Sequence, residues 1–260
     1  MKRSEGYRSE KLSPNRKVVI ASATVTREKN AIHAFTEIDI SEPRRLLKEH
    51  FEKTHEKLSF TAYIVICLAK IVKENPQVNS FLKGRRQVFL DDITISVLVE
   101  REIDGERVPE PITIKQADIK SFLEINNEIK DAKKLQSKTL GSLSGISWVR
   151  FIPKFLFKAF VRIADKNIRM AKPYGKVAVT AIGMFGNEAI WFIPHGSATV
   201  LITVGSINNK VVELDGSFIS REHLCLTASF DHNIIDGAPA MRFFSRFIEI
   251  VKSGELINFD

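Results

Sequence analysis

The stretch from Leu224 to Val251 constrains the chain more than any other. Leu224, Leu226, Ala228 and Phe230 alternate with Cys225, Thr227, Ser229 and Asp231, the two-residue period of a half-buried strand. Ala240, Phe243, Phe244, Phe247, Ile248 and Val251 then recur at helical spacing. Between these runs lies Asp231-His232-Asn233-Ile234-Ile235-Asp236-Gly237, so His232 stands where a strand ends and a turn leads into a helix. Side chains in such turns are held by rigid elements yet stay reachable. Histidine is the side chain whose ordinary pKa lets it take and return a proton near neutral pH. Asp236, four residues on, is close enough to orient an imidazole or to anchor the turn. A turn histidine and a helix-start carboxylate without chemistry would show the same spacing.

With 44% hydrophobic residues, the 260-residue chain can build a packed core as one large domain. No apolar run reaches the roughly 20 residues of a membrane span, and the start is polar rather than signal-like. Cys67 and Cys225 lie far apart in apolar surroundings, which predicts buried free thiols and a reducing, cytoplasmic setting. The six histidines form no zinc-like spacing with them, so no metal site is expected. The net charge of +8 is concentrated between Lys130 and Lys172, where eleven Lys or Arg face only Asp131 and Asp165. No nucleic-acid motif accompanies this stretch, which leaves a phosphate-bearing small ligand or a surface role.

Residues 1–15 read as a flexible basic arm, and the rest as a single α+β domain. Lys17–Thr26 is rich in Val, Ile and Thr and predicts a strand, forming a hairpin with Ala31–Ile40. Ser41 and Pro43 signal a helix to about Thr54, and Phe60–Glu74 a helix buried on most sides and stopped by Pro76. Strands are expected at Gln87–Leu90, Ile93–Val99 and Pro111–Ile114. An amphipathic helix is expected over Ala117–Leu135, with Ile119, Phe122, Leu123, Ile125 and Ile129 inward. Within a basic, aromatic helical insertion at about 136–172, Arg150, Lys154, Lys158, Arg162 and Lys166 form one stripe interleaved with Trp148, Phe151, Phe155, Phe157 and Phe160. An interfacial helix or a wall of an acyl pocket could use such a stripe. A helix packed on its own domain or a neighbouring subunit, with its charges in solvent, is the commoner use. Strands then follow at Lys176–Ile182, Ala189–Ile193, Ser197–Ile207 and Lys210–Leu214, with Asn208-Asn209 read as a turn.

Two motifs in this order resemble one family. Asp231 to Gly237 is similar to the histidine motif ending the catalytic domain of 2-oxoacid dehydrogenase dihydrolipoyl acyltransferases. Val179-Thr180-Ala181-Ile182-Gly183-Met184-Phe185-Gly186 resembles that domain's strand leading into Gly-Met-Phe-Gly. His33–Asp39, Leu58–Ser80 and Ser197–Ile207 are similar to its early strand, buried helix and central strand, so the resemblance covers most of residues 16–258. It implies a chloramphenicol-acetyltransferase-like fold, a mixed, mainly antiparallel sheet with flanking helices, over residues 16–260. It further implies a homotrimer or larger symmetric assembly, with coenzyme A or acyl-CoA as substrate and active sites between subunits.

By position, the resemblance makes His232 the general base on a thiol, Thr180 the hydroxyl donor to the oxyanion, and Asp236 a residue that holds the loop. Thr180 and His232 of one site would come from different chains. Four departures stand out. Asn233 replaces a common arginine, with loss of an ion pair that braces the loop; Ala181 replaces a frequent Asn; the 136–172 segment is long; and a β-rich Val18–Thr26 replaces a basic helix. No lipoyl domain is expected within these 260 residues, so a lipoyl group, if used, is expected from another chain, such as a lipoyl or other carrier protein. Two alternatives stay open: a catalytically silent trimeric scaffold, and acyl transfer to a hydroxyl or amine.

Overall fold

The computed structural model describes residues 2–4, 6–10, 12–27, 29–103, 106–134, 159, 163, 167–182 and 188–257. A short hairpin, β1 (Lys2–Ser4) with β2 (Tyr7–Ser9), precedes helix α1 (Pro14–Thr26). The Val- and Thr-rich run expected as a strand is therefore helical, and the family's helix before the first strand is present after all. The reason is local. Ser13 Oγ accepts the Arg16 N–H at 3.1 Å, the Ser13 carbonyl accepts the Lys17 N–H at 3.1 Å, and Pro14 takes the first helical position. Capping and a fixed φ at the start outweigh a modest β preference.

Next come β3 (Ala31–Asp39), α2 (Ser41–Thr54) and α3 (Phe60–Glu74), whose bounds match the reading from the sequence. A small hairpin, β4 (Ser80–Lys83) and β5 (Arg86–Phe89), leads to β6 (Ile95–Ile103) and β7 (Glu106–Ile114). Helix α4 (Phe122–Lys134) starts later than expected because Ser121 and Glu124 form a capping box: the Ser121 N–H donates to Glu124 at 2.7 Å, and the Glu124 N–H donates to Ser121 Oγ at 3.2 Å. Ile119 thus falls in the preceding turn and is exposed, not inward. A short helix, α5 (Ile168–Ala171), precedes β8 (Val177–Ala181). The long strands β9 (Val200–Leu214) and β10 (Ser217–Asp231) and helix α6 (Gly237–Ser253) close the order. The basic aromatic stripe of 150–166 and Gly183–Gly186 lie outside the described residues.

One six-stranded mixed sheet, in the order β3–β10–β9–β8–β6–β7, organises the domain. β8 runs parallel to both neighbours, and the other pairs are antiparallel. β7 is one of the two edge strands, which accommodates Pro109 and Pro111. β9 and β10 meet through Asp215-Gly216, both at positive φ (49° and 77°), as a two-residue hairpin requires. Asn208-Asn209, expected to turn, instead stays in the ladder opposite Glu222 and His223.

Val177, Val179, Val200, Ile202, Leu224, Leu226, Ala228 and Phe230 face the helices and join the core with Tyr63, Leu68, Phe243 and Phe247. Their alternates Leu201, Thr203, Cys225, Thr227 and Ser229 face outward yet are also buried. β10 is consequently buried on both faces over Leu224–Asp231, not half-buried as its alternation suggests. Segment 188–193, expected as a strand, is non-ladder chain that runs across this outer face. Its Ile190 N–H donates to Ser206 Oγ at 2.8 Å, and Trp191 Nε1 donates to the Thr36 carbonyl at 3.1 Å. The approach is close enough that a Cβ on Gly205 would stand 2.3 Å from the Ile190 carbonyl. Among the described residues no helix is long and apolar enough to cross a membrane.

Buried Tyr63 ties α3 to the end of α6. Its hydroxyl lies 3.0 and 2.8 Å from the Ile250 and Val251 carbonyls and accepts the Gly254 N–H at 3.1 Å. Tyr63→Phe removes the hydroxyl from the Val251 carbonyl and the Gly254 N–H, while the Ile250 carbonyl keeps Ser253 Oγ at 2.9 Å, and should cost about 1–3 kcal/mol. Urea unfolding of the variant, compared with wild type, measures this loss.

Candidate active site

The turn after β10 is built around Asp231 rather than Asp236. Asp231 is buried, and its N–H donates to the Thr199 carbonyl at 2.9 Å, completing the strand. Its own carbonyl accepts the N–H groups of Ile234 and Ile235, each at 3.0 Å, which reverses the chain towards α6. Its carboxylate accepts from the Asn233 N–H at 3.1 Å and from Asn233 Nδ2 at 2.8 Å, and faces Lys29 Nζ at 3.5 Å. Asn30 adds two links: its carbonyl accepts the His232 N–H at 2.7 Å, and its side-chain amide donates to Asn233 Oδ1 at 3.1 Å. With Asn at position 233, the turn still holds an ion pair, between Asp231 and Lys29.

His232 emerges from this frame with its side chain 46% exposed. Nδ1 lies 3.5 Å from an Asp236 carboxylate oxygen, beyond a firm hydrogen bond, and the Asp236 side chain is 85% exposed. Asp236 holds the start of α6 through its carbonyl, which accepts the Ala240 N–H at 3.0 Å, and makes no side-chain cap bond. Such an imidazole is reachable by substrate and held mainly through its backbone.

Thr180 is buried near the end of β8, in register with Leu98 of β6 and Thr203 of β9. Thr203 is in turn level with Thr227 of β10. Val179 belongs to the helix-side core, so Thr180 points to the outer face together with Thr203 and Thr227. The hydroxyls of Thr203 and Thr227 are buried and find no hydrogen-bond partner among the described residues. His232 lies five residues beyond Thr227, towards the opposite end of the sheet. At about 3.3 Å per residue that is roughly 16 Å along the strands, plus about 10 Å across two strand spacings. A single chain therefore does not bring Thr180 and His232 together.

Beside the histidine turn, His33 Nδ1 lies 2.8 Å from Ser229 Oγ. Burial, and secondarily the neighbouring His195, hold the His33 pKa below its ordinary value. Cys67 and Cys225 are buried and free, and burial pushes both thiols up, which removes them as nucleophiles near neutral pH. Among the described residues no group of three His, Cys, Asp or Glu could hold a metal ion. Asp231, Lys29 and Asn30 escaped the reading from sequence because their meeting depends on the pairing of Asp231 with Ala31, 200 positions away. The signal was there in part: once β3 is known to pair with β10, the Lys29-Asn30 turn must abut the histidine turn.

The family model "2-oxoacid dehydrogenases acyltransferase (catalytic domain)" matches residues 4–143 and 170–258. The chain belongs to this family. It is 27% identical over 254 residues to the dihydrolipoyllysine-residue succinyltransferase component of the 2-oxoglutarate dehydrogenase complex of Staphylococcus saprophyticus, covering 95% of this chain and 53% of that protein. It thus spans about half the length of the curated relatives it matches. Among solved structures it resembles a probable dihydrolipoamide acetyltransferase of Listeria monocytogenes, with a TM-score of 0.72, 21% identity and 99% of each chain covered. It also resembles the dihydrolipoamide acetyltransferase of Azotobacter vinelandii, with a TM-score of 0.71, 21% identity and 98% and 96% of the two chains covered. Chloramphenicol acetyltransferase shares the fold more distantly, with a TM-score of 0.50 and 13% identity over 94% and 95% of the chains. The expected fold class is borne out.

A titration prediction follows from His33. Its folded pKa is lowered from the ordinary 6.5, so as the pH falls the unfolded chain takes up this proton first. Its contribution to stability is full above that value and is lost as the pH falls towards the folded pKa. The melting temperature, followed by circular dichroism from about pH 7.5 to about pH 5.5, should fall, and His33→Gln should flatten that dependence.

Proposed function

We propose that this chain is a CoA-dependent acyltransferase that moves an acyl group between thioesters, from coenzyme A to a dihydrolipoyl or other thiol or in reverse. His232 acts as general base at an interface between subunits. The observation that carries this reading is the exposed imidazole whose backbone is held by Asn30 beside the buried Asp231, at a strand end within the stretch that the family model matches. In the Azotobacter vinelandii enzyme, a serine, a histidine and an asparagine are the residues singled out for their role in the catalytic mechanism. The intervals between those three equal the intervals between Thr180, His232 and Asp236.

In the proposed reaction the His232 imidazole takes the proton of the acceptor S–H. The thiolate attacks the thioester carbonyl carbon, forming a new C–S bond and a tetrahedral oxyanion, to which the Thr180 hydroxyl donates a hydrogen bond. Collapse breaks the old C–S bond, and the departing thiolate takes the proton back from the imidazolium. Thiolates are far better nucleophiles than thiols, so the base raises the reactivity of the attacking sulfur. A lipoyl group, where one is used, arrives on a carrier domain as the substrate.

Because Thr180 and His232 lie apart in one chain, the reading requires at least two copies. A surface suited to a second copy is present: β3 pairs only with His223–Asp231 of β10, so Lys210–Leu214 and Ser217–Arg221 continue past it as a two-stranded ribbon. Val211 and Phe218 are exposed on one face of this ribbon and Leu214 on the other. A ribbon end with apolar side chains in solvent offers a surface for a second copy. A homotrimer or a larger symmetric assembly is the arrangement proposed.

With acetyl-CoA and dihydrolipoamide as substrates, His232→Ala should lower kcat by about a hundredfold or more while the assembly, sized by light scattering, stays intact. Thr180→Val should lower kcat by about a hundredfold. Undiminished transfer by the His232 variant would rule out the mechanism.

A further inference from the structure

On the basis of this acyl-transfer reading, we propose that Lys29, together with Asn30, is a positioning residue for His232: the α1–β3 turn is the clamp that fixes where the imidazole stands. Three observations lead there. The carboxylate that faces the imidazole cannot hold it, since Asp236 is largely exposed and 3.5 Å away. The His232 backbone is instead pinned by the Asn30 carbonyl at 2.7 Å, and the next residue by the Asn30 amide at 3.1 Å. Lys29 then locks that turn in place by joining three segments. It begins in the α1–β3 turn, pairs with the buried Asp231 carboxylate at 3.5 Å, and donates to the Ser197 carbonyl in the loop before β9.

The electrostatics favour a lysine here for a stated reason. Asp231 is 8% exposed and Lys29 18% exposed, so each charge has given up most of its water and depends on the other. Removing one member of such a pair leaves an uncompensated buried charge, and the carboxylate then draws water or shifts. Asp231 also carries the Asn233 contacts and the two turn-closing N–H groups, so its displacement moves the His232 backbone directly. Misplacing a catalytic group by about 1 Å lowers a rate by about a hundredfold.

The test compares wild type, Lys29→Met, Lys29→Arg and the double variant Lys29→Met/Asp231→Asn, in the full chain. Acetyl-CoA and dihydrolipoamide are the probes, and the 13C-labelled His232 ring is followed by NMR. Lys29→Met should lower kcat by about tenfold or more, with the KM for acetyl-CoA changed by less than about twofold, and should shift the His232 ring signals. Lys29→Arg should recover most of the loss. If Lys29→Met fails to fold, the double variant, which carries no buried unpaired charge, should fold and still show the lowered kcat. A wild-type kcat in Lys29→Met or in the double variant overturns the proposal, as does a loss in Lys29→Arg equal to that in Lys29→Met. If the wild type transfers no acyl group, the acyl-transfer reading fails, and the ring signals alone decide the clamp: a shift in Lys29→Met upholds it, and unchanged signals refute it.

Discussion

Over Leu224–Asp231, strand β10 is buried on both faces and flanked by a paired strand on each edge, and the rest of the molecule is arranged to make that possible. Every backbone group of such a strand must find a partner inside the sheet. That requirement continues to its last residue, where Thr199 takes the Asp231 N–H and Asn30 the His232 N–H. The helix side is filled by Phe230, Phe243 and Phe247, with Phe230 and Phe243 meeting edge to face at 5.9 Å. The outer side is closed by segment 188–193 over Gly205. A histidine placed one residue past this strand inherits its rigidity without its burial, the combination a general base needs.

The same sheet separates the two groups that the chemistry would unite. Thr180 ends one strand and His232 follows another, with the sheet's own geometry keeping them roughly a strand length apart. No side-chain rearrangement within a packed sheet crosses that distance. The proposed catalysis thereby requires a second copy of the chain, and the ribbon at Asp215-Gly216 is a surface that the proposed assembly could use.

Much of this was legible in the sequence wherever local pattern and final environment agree. The bounds of α3 follow from Phe60 to Glu74 because a helix apolar on most sides between Ser59 and Pro76 has one outcome. The β10–α6 unit follows from a change of period at Gly237. Legibility failed where a local signal competed with another. Val18–Thr26 has β-type residues but begins with Ser13-Pro14, and the cap decided the outcome. Asn208-Asn209 looks like a turn, but the Asp215-Gly216 pair a few residues on fits the positive φ values of a two-residue hairpin and takes that role. At the site, His232 and Asp236 were visible as a spaced pair, whereas the frame of Lys29, Asn30 and Asp231 is formed by long-range strand pairing that spacing cannot report. Asn233 suggested a turn without an ion pair because Lys29, the cation that faces Asp231, lies near the other end of the chain.

The most direct test of a site shared between chains is complementation. His232→Ala and Thr180→Val chains, each inactive alone, are unfolded together, refolded as mixed assemblies and assayed with acetyl-CoA and dihydrolipoamide. If each site takes His232 from one chain and Thr180 from its neighbour, random mixing in equal amounts restores about a quarter of the wild-type activity. Activity that stays at the level of the two separate variants would contradict a site built between subunits.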